Sequence, residues 1–171
     1  MEVNQVNIKY KSAVITISDK GYKNERLDSS GPNLINLLKS IGIETIYSNV
    51  IPDDIKYIKD ELIKCSDELK VSLILTTGGT GLSKNDVTPD ATKEVINREI
   101  IGIPEIMRIK SYEITKNACL SREIAGIRND TLIINLPGSK KGSEENFLFI
   151  KDILIHALDT INSTESLNCG G

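Results

Sequence analysis

A glycine cluster followed by two aspartates is the feature of this sequence that most directly suggests chemistry. The apolar run 71–77 ends at Gly78-Gly79-Thr80-Gly81, and Asp86 and Asp90 follow shortly afterwards. Backbone N–H groups of a glycine loop at the end of a strand, close to a helix N-terminus, can bind phosphate. Carboxylates beside such a loop suit a divalent cation or a proton acceptor that joins the phosphate. The pattern therefore predicts nucleotide chemistry.

Each acidic residue near these loops also has a purely structural interpretation. Asp53 follows Pro52 at a predicted helix start, where a carboxylate stabilises the helix dipole. Asp90 falls in the first turn of the next predicted helix, which explains it fully. Asp86 precedes that helix and lies in the loop itself, so a functional role is favoured there. A glycine loop alone is compatible with a plain tight turn, and the neighbouring acids are what favour the functional interpretation.

Other familiar catalytic and binding motifs do not fit. The GxGxxG dinucleotide fingerprint read from Gly79 would need glycine at Lys84, and residues 138–143 lack the spacing of a Walker A loop. His156, the only histidine, lies in the last predicted helix away from the special loops, which argues against a Ser-His-Asp or Cys-His arrangement. Three cysteines without CxxC spacing predict reduced thiols and no zinc site.

Length, charge and composition limit the fold and the partners. At 171 residues the chain is predicted to be a single domain, 1–171, with a core over about residues 11–161, a polar leader and a loose tail. A net charge of −3, two phenylalanines and no tryptophan argue against nucleic-acid binding. No apolar run reaches the roughly 20 residues of a membrane span, and the leader lacks the apolar core of a signal peptide. A cytoplasmic protein without membrane contact is expected.

Strand and helix patterns alternate along the chain, and these elements must position the special loops. The strands are predicted over residues 12–18, 43–51, 71–77, 123–128 and 131–136. Helices are predicted to begin near Pro32, Pro52 and Pro104, with Thr88 and Ser143 as caps of two others. This order predicts a three-layer α/β/α sandwich with a mostly parallel central sheet. The loops that follow the strands, 19–31, 52–54, 78–90 and 137–142, are predicted to meet at one edge of that sheet.

The glycine loop and the segment after it resemble the signature of the molybdopterin adenylyltransferase family. These are the MogA/MoaB-type proteins, which include the amino-terminal G domain of gephyrin and its plant counterpart. The likeness is carried by Thr77–Gly81 together with Asp86–Thr92 and extends over nearly the whole predicted core. The other matching segments are Ile17–Asp19, Asp28–Pro32, Ile51–Asp53, Leu120–Arg122, Ala125–Arg128 and Thr131–Ser143, the last being especially similar to gephyrin.

The resemblance implies a homotrimer that binds molybdopterin and Mg-ATP, transfers AMP to the terminal phosphate of molybdopterin and releases pyrophosphate. Two carboxylates that matter in this family correspond to Asp53 and Asp86, the candidate catalytic residues and Mg²⁺ ligands. The implied nucleotide and pterin contacts are Ser18, Asp19, Ser30, Gly31, Gly78, Gly79, Thr80, Gly81, Asp90, Ser121, Arg122, Pro137, Gly138 and Ser139. Among them, Ser18, Asp19 and the glycine loop belong to the nucleotide side, and Ser121, Arg122 and 137–139 to the pterin side.

Some features depart from the family pattern or leave alternatives open. Asn85 stands where relatives often carry arginine, and Ser29 stands where others have arginine. A molybdate-inserting domain like that fused in gephyrin is not recognised, so insertion would need a separate protein. The alternatives are a non-catalytic trimeric molybdopterin-binding or scaffold protein, and a related enzyme for another nucleotide substrate. Ile101, Ile103 and Ile106, which lie outside the clear apolar stripes, are the candidate trimer contacts.

Overall fold

A six-stranded mixed sheet forms the centre of the structure, a computed structural model that describes residues 9–163. The strands are β1 (Tyr10–Ile17), β2 (Ile43–Ile51), β3 (Leu73–Thr77), β4 (Arg98–Glu99), β5 (Ala125–Arg128) and β6 (Thr131–Leu136). Their spatial order is β2-β1-β3-β6-β5-β4. The first four strands in this order run parallel, whereas β5 is antiparallel to β6 and β4 is antiparallel to β5.

Helices cover both faces of this sheet. In the described part of the chain they are α1 (Asp19–Tyr22), α2 (Ser30–Ser40), α3 (Ile55–Ile63), α4 (Thr88–Val95), α5 (Gly102–Ile114) and α6 (Lys140–Asn162). A π-helical turn, Lys64–Glu68, continues α3, and a 3₁₀ turn, Lys116–Leu120, follows α5.

Two apolar clusters show how the layers are arranged. One cluster contains residues of α2, α5 and α6, and the other contains residues of α3 and α4. Within β3, Leu73 and Leu75 belong to the first cluster and Ile74 to the second, because successive strand side chains point to opposite faces. The predicted three-layer α/β/α sandwich with a mostly parallel sheet is confirmed.

Several element starts differ from the sequence prediction by one to four residues. Thr88 was expected to cap α4, but α4 begins at Thr88, and its hydroxyl donates to the Gly78 carbonyl at 2.8 Å. The last helix begins at Lys140 with Ser139 as its cap, so Ser143 lies inside α6 and is buried. At α4, the Thr88 hydroxyl makes a tertiary contact with Gly78 in place of a capping contact. At α6, Ser139 takes the capping role that the local pattern assigned to Ser143.

Short elements escaped the sequence patterns altogether. The loop predicted over 19–31 starts with the single turn α1, and Ser18 caps it by accepting a hydrogen bond from Gly21 N–H at 3.1 Å. The two-residue strand β4 pairs with β5 at the sheet edge. Neither element is long enough to show an apolar period.

Some predictions concern surfaces and terminal segments. Of the three candidate trimer contacts, Ile101 is 59% exposed, Ile106 is half-buried against the core, and Ile103 is 5% exposed. The predicted polar leader up to residue 8 and the tail from residue 164 lie outside the described residues, as does Cys169. Among residues 9–163, no helix combines the length and apolarity needed to cross a bilayer.

Candidate functional site

The loops after β1, β2, β3 and β6 come together at the carboxyl edge of the parallel strands. Asp19 N–H donates to Asp53 Oδ2 at 2.9 Å, and Asp53 N–H donates to Asp19 Oδ1 at 3.1 Å, which joins the first two loops. The Ser30 hydroxyl donates to the Gly138 carbonyl at 3.0 Å. A Cβ added at Gly138 would lie 3.1 Å from Gly78 Cα. The predicted convergence of these loops is therefore present in the fold.

The backbone of the glycine loop has a shape that other residues cannot adopt. Gly78 has φ +109°, and a Cβ there would lie 2.2 Å from the Ile17 carbonyl oxygen. Gly79 has φ +64°, and a Cβ there would lie 2.3 Å from Thr88 Oγ1. The N–H groups of Gly79 and Thr80 donate to no acceptor in residues 9–163. Free donors beside the start of α4 suit the oxygens of a phosphate.

Asp53 lies on one side of this loop, outside the helix that follows it. Asp54 is the N-cap of α3, accepting from the N–H groups of Lys56 and Tyr57, so the helix-dipole explanation of Asp53 is replaced. Asp53 Oδ1 is 3.2 Å from the position of a Cβ at Gly79. Burial raises the pKa of Asp53; the hydrogen bond from Asp19 N–H opposes this rise, and the negative charges of Asp19 and Asp86 add to it. The carboxylate is therefore held in an environment that favours a bound cation.

Asp86 lies on the other side of the glycine loop. Its Oδ2 accepts from Ser83 N–H at 2.8 Å, while its own N–H donates to the Ser83 carbonyl at 3.0 Å, so it closes a tight turn. A Cβ at Gly81 would lie 2.9 Å from Asp86 Oδ2. The sequence interpretation of Asp86 as a loop residue, separate from the helix start, agrees with this position.

The donor set around the loop fits Mg²⁺ in chemistry. Asp53 and Asp86 each keep one carboxylate oxygen, Oδ1, to which no described residue donates a hydrogen bond. Mg²⁺ in phosphate sites takes one or two carboxylates and completes its shell with substrate phosphates and water. No group of three or more His, Cys, Asp or Glu within residues 9–163 forms a complete metal cage. Two carboxylates beside free N–H groups are what a shared metal–phosphate site needs.

Two clefts open on either side of the converging loops. The first cleft, of about 300 Å³, is lined by Ser18, Ser30, Asp53, Gly78, Gly79 and Gly138 among others. The second cleft, of about 500 Å³, includes Thr80, Gly81, Ser121 and Pro137 in its walls. Ser139, the cap of α6, lines both clefts. A molecule in one cleft can therefore meet a molecule in the other beside the N-terminus of α6.

Other residues named from the sequence support the site and do not line either cleft. Arg122 donates from Nε to the Gly81 carbonyl at 3.0 Å and forms an ion pair with Asp90 at 2.7 Å. The Arg122 guanidinium also lowers the pKa of Asp90. A Cβ at Gly31 would lie 2.5 Å from Asp28 Oδ2, so Gly31 is a close-packing position. Arg122 and Asp90 thus clamp the end of the glycine loop to the start of α4.

Two lining residues were not singled out from the sequence. Arg26 is an exposed cation in the wall of the first cleft, and only its place in the loop after β1 could have indicated it. Glu123 is 2% exposed and lines the second cleft. Its position directly after Ser121 and Arg122 was the available signal, but a predicted strand over 123–128 concealed it.

The fold and this site define a class of protein: an α/β domain with a phosphate-suited glycine loop flanked by two carboxylates at the carboxyl edge of a parallel sheet. The family described as "Probable molybdopterin binding domain" matches residues 13–156. The chain belongs to this family, and the resemblance carried by the sequence motifs is confirmed.

Individual relatives and solved structures agree with this membership. The molybdopterin adenylyltransferase of Helicobacter pylori is 36% identical over 150 residues, which are 86% of this chain and 85% of the relative. Gephyrin of Dictyostelium discoideum is 43% identical over 161 residues, 88% of this chain, which spans only 22% of gephyrin. The structure of the molybdopterin biosynthesis enzyme MoaB from Thermus thermophilus superimposes with a TM-score of 0.85 at 39% identity, covering 90% of this chain and 96% of that one.

Proposed function

We propose that this protein is a molybdopterin adenylyltransferase of molybdenum cofactor biosynthesis, which transfers AMP from Mg-ATP to molybdopterin and releases pyrophosphate. The observation that carries the proposal is the pair Asp53 and Asp86 on either side of a glycine loop with free N–H groups. The 36% identity to an enzyme named for this activity, over 85% of that enzyme, supports the same conclusion.

The two clefts suggest where the two substrates bind. ATP fits the first cleft, where Gly78, Gly79 and Asp53 surround the position of its phosphates and Arg26 adds a positive charge. Molybdopterin fits the second cleft, beside Ser121 and Pro137. The shared wall at Ser139 brings the terminal phosphate of molybdopterin towards the α-phosphate of ATP. This arrangement makes an intermolecular reaction effectively intramolecular.

The chemistry needs positioning and charge neutralisation more than proton transfer. An oxygen of the molybdopterin phosphate attacks the α-phosphorus of ATP, the bond to the β-phosphate breaks, and pyrophosphate leaves with its electron pair. A phosphate monoester is largely ionised at neutral pH, so its oxygen is a nucleophile without a general base. The N–H groups of the glycine loop and the N-terminus of α6 orient phosphate oxygens. This explains why the lone histidine, His156, can lie exposed on α6.

Asp53 and Asp86 would hold Mg²⁺ beside these phosphates. When bound, Mg²⁺ supplies neutralisation of the phosphate charge. That positive charge would offset the burial and the neighbouring negative charges that raise the pKa of Asp53. Arg122 keeps the loop in place through Gly81 and Asp90, so its contribution is to position the phosphate-binding backbone.

The test of the proposed function is AMP transfer measured directly. Purified protein is mixed with molybdopterin, ATP and Mg²⁺, and pyrophosphate and adenylylated pterin are quantified. We expect both products, and neither when Mg²⁺ or molybdopterin is omitted. Asp86→Ala should abolish most turnover, by roughly 100-fold or more, whereas Asp130→Asn, in the hairpin turn between β5 and β6, should not. ADP and free phosphate in place of pyrophosphate would indicate a kinase-like reaction.

A non-catalytic scaffold is the second candidate function, and exposed apolar side chains favour an assembly in either case. Ile101 is 59% exposed, and Ile109, Tyr112, Ile114 and Leu120 are also exposed in or near α5. A homotrimer in the cytoplasm, which passes its product to a separate molybdate-inserting protein, is part of the proposal. Light scattering at micromolar concentration should give three times the chain mass. Tight molybdopterin binding without any turnover would favour the scaffold over the enzyme.

A further inference from the structure

The second cleft contains two neighbouring buried polar atoms that make no well-aligned hydrogen bond in the described structure. They are Glu123 Oε1 and Ser121 Oγ. Glu123 is 2% exposed, yet its side chain forms part of the cleft wall. A buried carboxylate oxygen without a donor costs free energy, so such an atom usually has a partner that is absent from the apo protein.

Several other buried polar groups of this cleft have partners within the protein. Ser111 donates to Asn146 Oδ1 at 3.3 Å, and Asn146 Nδ2 donates to the Gly142 carbonyl at 2.8 Å. Arg108 donates from Nη1 to the backbone carbonyl of Glu123 at 3.0 Å, which holds the chain there. Among the fully buried side-chain atoms of this cleft wall, those of Glu123 and Ser121 are therefore the ones open to a ligand.

Apolar side chains share this cleft with the two polar atoms. Leu82, Leu120 and Pro137 line the cleft together with the glycine loop. Apolar walls with a few convergent polar groups are typical of small-molecule sites. A carboxylate in such a cleft can accept two parallel N–H donors from one edge of a planar heterocycle.

We propose that Glu123 recognises the 2-amino-4-oxopyrimidine edge of a pterin ring, accepting its N3–H and 2-amino donors, while the Ser121 hydroxyl donates to the neighbouring ring carbonyl. The inference rests on the proposed function, since it identifies the part of the substrate that the second cleft reads. It assigns Glu123 to substrate selection and gives it no part in the phosphate chemistry.

The ionisation of Glu123 makes this recognition depend on pH. Burial raises the pKa of Glu123 to about 7, and the nearby Ser121 hydroxyl and Arg108 guanidinium oppose that rise only in part. Arg108 of α5 and Glu145 of α6 are the other charged residues in this cleft wall. Two ring donors stabilise the ionised carboxylate, so pterin binding displaces a proton below about pH 7. Affinity should fall by about tenfold for each pH unit below that value.

The first experiment compares pterin with lumazine, which has a carbonyl in place of the 2-amino group. Each ligand is titrated by its own fluorescence into the folded full-length protein. We expect wild type to prefer pterin by roughly 10-fold or more, because lumazine leaves one carboxylate oxygen facing a carbonyl. Glu123→Gln should bind pterin roughly 10- to 100-fold more weakly and should lose or reverse the preference. Glu68→Gln is the matched control. Glu68 is exposed and precedes the amino end of β3, whereas the site follows the carboxyl end, so this variant should bind pterin and lumazine like wild type.

The pH profile tests the same point on wild-type protein. Pterin affinity is measured between about pH 5.5 and 7.5, with Glu123→Gln and Glu145→Gln in parallel. The slope should disappear in Glu123→Gln and persist in Glu145→Gln. Equal affinity of wild type for pterin and lumazine, or a flat wild-type profile, would overturn the proposal even if the glutamine variant failed to fold. Guanosine carries the same ring edge on a purine, and binding as tight as that of pterin would overturn the pterin assignment.

Steady-state kinetics separate this inference from the proposed function. With molybdopterin as acceptor, Glu123→Gln should raise KM for molybdopterin while leaving kcat and KM for ATP near their wild-type values. An unchanged KM for molybdopterin would refute the role of Glu123 and leave the AMP-transfer proposal intact. A wild-type protein without AMP transfer, whose pterin binding still depends on Glu123, would refute the enzyme proposal and support the ring recognition.

Discussion

Replacing Asp53 with asparagine should separate activity from stability at this site. The asparagine side chain has the same shape and can still accept the hydrogen bond from Asp19 N–H, which is 2.9 Å long. The substitution removes only the negative charge that would hold Mg²⁺ and the reacting phosphates. We expect AMP transfer to fall by roughly 100-fold or more, the usual scale for a positioned electrostatic group.

The same substitution should not destabilise the fold. Burial and the charges of Asp19 and Asp86 raise the pKa of Asp53, so the folded protein carries an unfavourable ionised group at neutral pH. Asparagine removes that penalty, which is partly screened because Asp53 is only half-buried. The expected gain is between zero and about 1 kcal/mol, or up to roughly 2–4 °C in Tm for a chain of this size.

Asp90→Asn should change the stability of the fold in the opposite direction. The Arg122 guanidinium holds the pKa of Asp90 below its usual range, so the ionised Asp90 stabilises the folded state. The Asp90 side chain is 48% exposed, which limits the loss to about 1 kcal/mol or less. Thermal melting in EDTA, at neutral pH and again near pH 3, gives both differences. The Asp53→Asn difference should largely vanish near pH 3, because the raised pKa of Asp53 leaves its carboxyl group protonated there. The Asp90→Asn difference should shrink only as the pH falls through the lowered pKa of Asp90.

Two results would refute this reasoning about Asp53. A drop of more than about 4 °C in Tm for Asp53→Asn in EDTA would mean that its charge stabilises the fold. Turnover within about threefold of wild type would place Asp53 outside the reaction, since a phosphate-positioning group contributes far more than that. Circular dichroism at the assay temperature ensures that both comparisons use folded protein.

Two further predictions concern backbone and thiol positions. Gly78→Ala should destabilise the protein by roughly 2–5 kcal/mol, since its Cβ would lie 2.2 Å from the Ile17 carbonyl oxygen at φ +109°. Gly102→Ala, with nothing within 4 Å, should be neutral or slightly stabilising in the same urea titration, and equal effects would contradict the steric argument. The Cys65 thiol is buried and its pKa is raised to about 12. Peptide mass spectrometry of folded protein should therefore find Cys119 alkylated and Cys65 intact, whereas equal labelling would show that the π-helical turn after α3 opens readily.

The position of the glycine loop connects stability to function in this fold. Thr88 donates to the Gly78 carbonyl, and Arg122 binds the Gly81 carbonyl and Asp90, so α4 and the segment before β5 together hold one loop. These contacts use the carbonyl groups of Gly78 and Gly81, while the N–H groups of Gly79 and Thr80 stay without an acceptor in residues 9–163. A phosphate-binding backbone can then be ordered before substrate arrives, which reduces the free energy of reorganisation on binding.

Much of the architecture was readable from local patterns. The apolar runs at 12–18, 43–51 and 71–77 correspond to β1, β2 and β3, and strand–helix alternation predicted their parallel arrangement. The period of a strand or helix is a property of neighbouring residues, so it survives in a single sequence. Short elements such as α1 and β4 lack a full period, and for that reason they appeared only in the structure.

The roles of individual acidic residues could not be assigned in this way. From sequence, Asp53 and Asp54 both looked like helix-start residues; in the fold Asp54 is the cap, and Asp53 faces Asp19 across 34 positions of chain. Asp90 does lie in the first turn of α4 as predicted, but it also pairs with Arg122, which the local pattern did not indicate. Such pairings depend on where distant loops meet at the sheet edge, which a local pattern does not encode.

The sequence by itself determined the fold class, the family and the phosphate-suited loop, because glycine content, apolar periodicity and motif spacing are local properties. The tertiary structure alone decided which side chains are satisfied and which are left open. Ser18, Ser30 and Arg122 have internal partners, whereas Glu123 Oε1 has none in the described chain. Hydrogen-bond satisfaction and burial arise when segments far apart in sequence exclude water from one another, so they exist only in the folded protein.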